Sequence, residues 1–183
     1  MSPKTLIERY GVFMRLSAEL AFKNLSECLP GELVRLPYAS SSALAIVLAP
    51  TNAARLPTLG FLSAPETAPY QKIAEEAGDV LSYGNDWVIR PVVDEMSINY
   101  SSEDIQSGAI VIAREGPAFV FKGSHIRERH TVRLFLLDGG REIHDEEHYR
   151  LPRINRWTIF QTPNDMMIPG QSPLTHFEVS RVE

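Results

Sequence analysis

Three residues in the last third of the chain have the types and spacing of a metal site. His144, Glu147 and His148 occur in the order H-x-x-E-H within REIHDEEHYRLP, residues 141–152. On a helix, both histidines could bind one zinc ion while the glutamate acts as a general base in hydrolysis. The chemistry therefore depends on whether this segment is a helix.

The residues around this motif favour a strand, although H-x-x-E-H is the signature of the inverted zinc proteases. The motif follows two glycines and is soon followed by Pro152, which leaves little room for a stable helix. In a strand His144 and His148 would stand roughly 13 Å apart. That is too far for one zinc ion with ligands at about 2 Å. We therefore predict no metal and no cofactor.

The same segment contains the charge pattern of a β-hairpin. Residues 131–137 and 141–149 flank Asp138, Gly139 and Gly140, which are typical turn residues. Antiparallel pairing around that turn brings a basic segment opposite an acidic one. We predict this hairpin, with Arg133 close to Asp145 or Glu146.

Lys122 and Ser82 form a second candidate for chemistry. The segment DIQSGAIVIAREGPAFVFK, residues 104–122, resembles the hairpin that carries the catalytic lysine in LexA-type, self-cleaving Ser–Lys peptidases. The resemblance implies Lys122 as general base, a role that a desolvated lysine can fill. Ser82 stands 40 residues upstream in LSYGND, without the methionine that usually follows that family's serine. The alternative is an ordinary hairpin with an exposed lysine, and we expect no catalytic role.

A basic run over residues 122–133 is the third candidate. Arg127 and Arg129 would share one face of an extended strand, with His125 beside them and Arg133 further along. Arginine forks match phosphate and carboxylate groups, so this strand could bind an anion. The alternative is that these cations are solvated, or paired with the acidic residues 145–147.

Length and composition limit the classes of protein. The chain has 183 residues, 44% hydrophobic and 22% charged, which predicts one globular domain over 1–183. Its net charge of -5 argues against nucleic acid as a partner. The lone Cys28, with neither a signal peptide nor an apolar transmembrane stretch, predicts a cytoplasmic protein without membrane contact.

The fold class predicted from these patterns is α+β and β-rich. Residues 1–30 are amphipathic at helical spacing, with Ser2 as cap, and they predict a long N-terminal helix that stops at Pro30 and Gly31. A short internal helix is predicted over 66–78. The β-rich body, 31–183, is predicted to be a mainly antiparallel twisted sheet or partly open barrel. Strand patterns occupy 32–38, 43–50, 58–64, 87–93, 109–123, 156–161 and 174–182.

Stray apolar residues suggest the function. Val12 and Phe22 fall on the polar side of the predicted N-terminal helix, and Met166, Met167 and Ile168 lie in a proline-rich loop. We therefore predict a non-catalytic structural or protein-interaction module that self-associates or acts within a larger assembly. The alternatives are a small Ser–Lys hydrolase and an anion-binding module. The three loop residues could instead fold back to plug the end of the sheet.

Overall fold

Two β-sheets account for most of the described chain. The computed structural model describes residues 21–38, 41–49, 57–63, 69–74, 78–93, 98–99, 106–123, 132–144 and 151–178. Its elements are β1 (Ala21–Asn24), a 3-10 turn (Leu25–Glu27), β2 (Leu33–Tyr38), β3 (Ser41–Leu48), β4 (Thr58–Ser63), β5 (Tyr70–Ile73), β6 (Asp79–Ser82), β7 (Val88–Pro91), β8 (Ile98–Asn99), β9 (Ile110–Ala113), β10 (Gly116–Gly123), β11 (Val132–Leu136), β12 (Glu142–Ile143), β13 (Arg153–Ile154), β14 (Arg156–Phe160), α1 (Pro163–Met167) and β15 (Thr175–Glu178).

The larger sheet follows the order β1-β6-β2-β3-β4-β5-β10-β9-β13-β8, and β11 and β12 branch from β10. Strands β5 and β10 pair in parallel, and the other described pairs are antiparallel. The smaller sheet has the order β15-β14-β7, so β7 is one of its edges. Pro91 fits this edge position, because a proline has no N–H to donate to a second neighbouring strand.

The main core contains residues of both sheets, including Trp157 and Ile159 from β14. Leu44 and Ile46 from β3 share this core with Phe119 and Phe121 from β10. Gly60 leaves room for the ring of Phe121, since a Cβ at Gly60 would lie 2.5 Å from that ring. Strand β3 is buried on both faces, as its continuous apolar run predicts.

The predicted long N-terminal helix is wrong for its described part. Residues 1–20, including Val12, lie outside the described residues, but Ala21–Asn24 is a strand paired with β6 and Leu25–Glu27 is a 3-10 turn. Asn24 caps that turn by accepting a hydrogen bond from the amide of Ser26. Pairing with β6 decides the conformation here, because tertiary contacts override a local helical period.

The predicted short helix over 66–78 is also wrong. Its described centre, Tyr70–Ile73, is strand β5, which hydrogen-bonds to β4 on one side and β10 on the other. A short helix forms instead at Pro163–Met167, inside a segment predicted as a loop. Thr162 caps it by accepting a hydrogen bond from the amide of Asp165, and Pro163 occupies a first-turn position.

Both predicted hairpins are present. Strands β9 and β10 pair antiparallel, with a two-residue turn at Arg114 and Glu115. Strands β11 and β12 pair antiparallel around residues 138–140, as predicted. The contact of Arg133 is Glu142, with Nε 3.9 Å from Oε1, whereas Asp145 and Glu146 lie outside the described residues.

Candidate functional site

A cleft of about 450 Å³ opens at the surface of the described residues. Three separate segments line it: Pro30 and Gly31, then Asn85 with Trp87–Ile89, and finally residues 137–139. This volume is within the range of small-ligand sites, which run from roughly 300 to 1,000 Å³. Asp138 is the one charged residue among these lining residues.

Two close backbone approaches hold the cleft walls together. The amide of Gly31 donates to the carbonyl of Val47 at 2.7 Å, and the amide of Ala49 donates to the carbonyl of Gly140 at 2.9 Å. Both glycines have positive φ, of 92° and 59°. A Cβ on Gly140 would lie 2.7 Å from the carbonyl oxygen of Val47. The 138–140 turn is therefore fixed on the end of β3, next to Gly31.

Trp87 forms the buried side of the cleft. Its indole N–H donates to the carbonyl of Gly31 at 2.8 Å, and its ring stacks on Phe119 with centroids 6.5 Å apart. The tryptophan therefore connects the cleft to the main core, which gives the cleft a rigid floor. The rim is polar, because Asn85 and Asp138 are exposed.

Strand β7 meets the cleft along its backbone edge. Trp87, Val88 and Ile89 are consecutive residues and all three line the cavity. Neighbouring side chains of an extended segment point to opposite faces, so contact with all three residues indicates a cavity beside the backbone of this segment. Because β14 occupies one edge of β7, the cleft lies along the other edge, which no described strand occupies and which we call the free edge.

A buried carboxylate next to this region fixes β1 and β6. Glu32 is 4% exposed. Its Oε2 accepts a hydrogen bond from the Ser82 hydroxyl at 2.7 Å, and its Oε1 accepts one from the Leu29 amide at 3.1 Å. The Lys23 ammonium lies 2.7 Å from each of these oxygens. Both oxygens of the Glu32 carboxylate therefore have partners within the chain, and we infer that its role is structural.

The surroundings of Glu32 shift two pKa values in opposite directions. Burial alone raises the pKa of a carboxyl, but the hydrogen bonds from Lys23, Ser82 and the Leu29 amide outweigh it and hold the pKa of Glu32 below its usual value. Burial, followed by the nearby charge of Glu32, raises the pKa of the Cys28 thiol to about 11. This thiol therefore lacks the lowered pKa of a reactive cysteine.

The structure does not bring Ser82 and Lys122 together. The Ser82 hydroxyl donates to Glu32, and it accepts from the amide of Gly84 at 3.1 Å. Lys122 lies on β10, and the strands β2, β3, β4 and β5 separate it from β6 in the sheet order. The backbone amide of Lys122 donates to the hydroxyl of Ser107.

The other charged candidates are only partly described. Arg127, Arg129 and the residues 145–148 of the H-x-x-E-H motif lie outside the described residues. His144 is exposed directly after β12, and Arg133 contacts Glu142. Within the described ranges, no three His, Cys, Asp or Glu side chains cluster closely enough to hold a metal ion.

The apolar candidates Phe22 and Met167 are highly exposed, by 83% and 76%. Phe22 lies on β1, an edge of the larger sheet. Met167 and the exposed Ile168 are at the end of α1, which packs on β7 and β14. Met166 is half-buried, and its carbonyl accepts a hydrogen bond from the Arg90 guanidinium.

Sequence reasoning missed the cleft and the buried carboxylate. The sequence patterns predict Gly31 as the end of a helix and residues 138–140 as a turn. They assign no role to Glu32 or Trp87. The sequence contains one weak signal for the cleft. A large aromatic residue, Trp87, directly follows the turn-forming residues Asn85 and Asp86.

Comparison of the chain with protein-family models, curated proteins and solved structures finds no match. A search of the described residues for a helix long and apolar enough to span a membrane finds none.

Proposed function

We propose that the protein is a non-catalytic interaction module that self-associates or joins a larger assembly, in the cytoplasm. The observation that carries this proposal is the exposure of Phe22 on β1, which pairs with β6 on one side and with no described strand on the other. Single exposed apolar residues are common on protein surfaces. The position of this one in the sheet is what supports a contact.

Phe22 lies on the same face of the larger sheet as the main core, with Leu81 and Arg35 between them. It pairs with Leu81 on β6, Leu81 pairs with Arg35 on β2, and Arg35 pairs with Leu44 on β3. Paired residues project from the same face of a sheet, and Leu44 is buried in the core. The core face therefore extends to an uncovered aromatic ring at a strand edge, where a partner could bind.

The contact predicts a concentration-dependent equilibrium. Covering one large apolar side chain contributes roughly 1.5–3 kcal/mol, and in a two-fold symmetric dimer each copy contributes once. We expect Phe22→Ser to raise the dissociation constant at least about hundredfold. Met167→Ser tests the second exposed site in the same way.

Sedimentation velocity at micromolar concentration measures this equilibrium. Val93→Ser is the matched control, because Val93 is also an exposed apolar residue but follows β7 at the end away from α1. A wild-type chain that is monomeric over the whole concentration range, with Met167 freely oxidised, contradicts the self-association form of the proposal. An oligomer that Phe22→Ser does not weaken contradicts the assigned surface.

A further inference from the structure

The free edge of β7 offers backbone hydrogen-bonding groups to the cleft. The amide of Val92 donates to the carbonyl of Arg156, so residue 92 faces β14. Alternate residues of a strand face the same neighbour, which means that residues 88 and 90 also face β14. Ile89 therefore directs its N–H and C=O away from β14, towards the edge beside which the cleft lies.

The neighbouring strand confirms this direction. The carbonyl of Ile159, which lies opposite Ile89, accepts a hydrogen bond from the amide of Leu174 on the β15 side. Ile159 is thus turned away from β7, as Ile89 is turned away from β14. No described residue bonds to the amide or carbonyl of Ile89.

We propose that the cleft binds an extended peptide segment of a partner protein, which adds to the free edge of β7 and places a basic side chain beside Asp138. Strand addition of this kind obtains its affinity from main-chain hydrogen bonds and its specificity from pockets for alternate side chains. The inference rests on the proposed interaction function, but it uses a surface other than Phe22.

The position of Pro91 limits the length of the added strand. Residue 91 also faces the free edge, but proline has no N–H to donate. The pairing is therefore confined to the stretch from Trp87 to Ile89, which is the part of the chain that lines the cleft. A segment of about three to five residues matches this length.

The lining of the cleft defines the chemistry of the segment. Trp87, Val88, Ile89 and Leu137 are apolar, which favours an apolar or β-branched peptide side chain. Asp138 is the one charged lining residue and is exposed, so a lysine or arginine of the peptide can pair with it. Leu29, which precedes Pro30, adds an exposed apolar side chain beside one wall.

A phage-displayed library of random heptapeptides is the probe. We expect selection on the folded chain to enrich β-branched sequences with one lysine or arginine. In Ile89→Pro the donor on the free edge is removed, while the bonds of residues 88 and 90 to β14 remain. The affinity of a selected synthetic peptide should then fall at least about tenfold. Asp138→Asn should reduce its affinity about three- to fivefold.

Hydrogen exchange of the Ile89 amide supplies a readout that does not depend on the stability of a variant. Peptide addition should slow this exchange in the wild-type chain, because the amide becomes bonded. A ligand that occupies the cleft through side chains alone, such as a sugar on Trp87 and Asn85, leaves this exchange rate unchanged. Pro91→Ala introduces a backbone N–H at position 91 on the free edge, and it should therefore lower the dissociation constant of the peptide.

The inference is overturned if selection enriches no peptide, or if the peptides bind without protecting the Ile89 amide. Phe22→Ser separates this result from the proposed self-association. Loss of self-association with intact peptide binding supports both assignments. Self-association that requires Phe22, together with failure of peptide binding, leaves the proposed function standing and removes only the inference.

Discussion

Replacing Glu32 by glutamine tests the energetic role of the buried carboxylate. Glutamine keeps one acceptor oxygen but places an NH₂ group where the other oxygen receives the Ser82 hydroxyl and the Lys23 ammonium. A hydrogen bond to a charged group contributes about 1.5–3 kcal/mol. The side chain of Lys23 is 26% exposed, so its ammonium can be rehydrated in part. We therefore expect Glu32→Gln to lower the free energy of unfolding by about 2–3 kcal/mol.

For a chain of this length, that loss corresponds to a melting temperature lower by about 4–12 °C. Urea unfolding followed by the fluorescence of Trp87 and Trp157 measures the difference at pH 7. Glu178→Gln is the control, because Glu178 is exposed and its contact with Arg156, at 3.4 Å, is a surface ion pair. Glu178→Gln should change the free energy of unfolding by no more than about 0.5 kcal/mol.

The difference in the free energy of unfolding between wild type and Glu32→Gln should decrease as the pH falls. The folded-state pKa of Glu32 is lowered, so its contribution is complete above the unfolded-state pKa of about 4.3. As the pH falls through the lowered folded-state pKa, the carboxyl takes up a proton and the wild-type advantage disappears. A difference between wild type and Glu32→Gln that is absent at pH 7, or that stays constant down to pH 3, would refute this reasoning.

Three further predictions concern Lys122, Cys28 and Gly140. Lys122→Ala should leave the chain folded and intact by mass spectrometry; cleavage by the wild type that the variant lacks would disprove the non-catalytic assignment. With its pKa at about 11 instead of 9.0, the Cys28 thiol should react with iodoacetamide at pH 8 about a hundredfold more slowly than in urea-unfolded chain. Gly140→Ala should destabilise by about 2–3 kcal/mol, because its Cβ meets the Val47 carbonyl at positive φ. Gly139→Ala, at positive φ but in open space, should cost only about 1 kcal/mol in the same urea titration.

Sequence patterns predicted the structure correctly where the contacts that determine it join residues close together in the sequence. The continuous apolar run of β3 and the glycines at 139 and 140 predicted a buried strand and a hairpin, and both are present. The helix predicted from the amphipathic spacing over residues 1–30 is wrong in its described part, because β1 pairs with β6. That strand begins at Asp79, far beyond any window in which a period is measured.

The candidate site was not predictable for the same reason. Its lining comes from residues 30–31, 85–89 and 137–139, and each of these segments looks like an ordinary turn or strand on its own. Their juxtaposition depends on the 138–140 turn lying on the end of β3. The exposure of Met167 is a partial exception, since a surface position was one of the two interpretations of this proline-rich segment.

The pairing of β1 with β6 has a consequence for synthesis on the ribosome. Asp79 follows Asn24 by 55 positions, so β1 emerges long before the strand it pairs with. At about 5–20 residues per second, the wait lasts roughly 3–11 s. During that interval Phe22 and its strand lack the ladder with β6, and a neighbouring nascent chain on the same polysome could supply a substitute. Assembly during translation would then compete directly with completion of the fold.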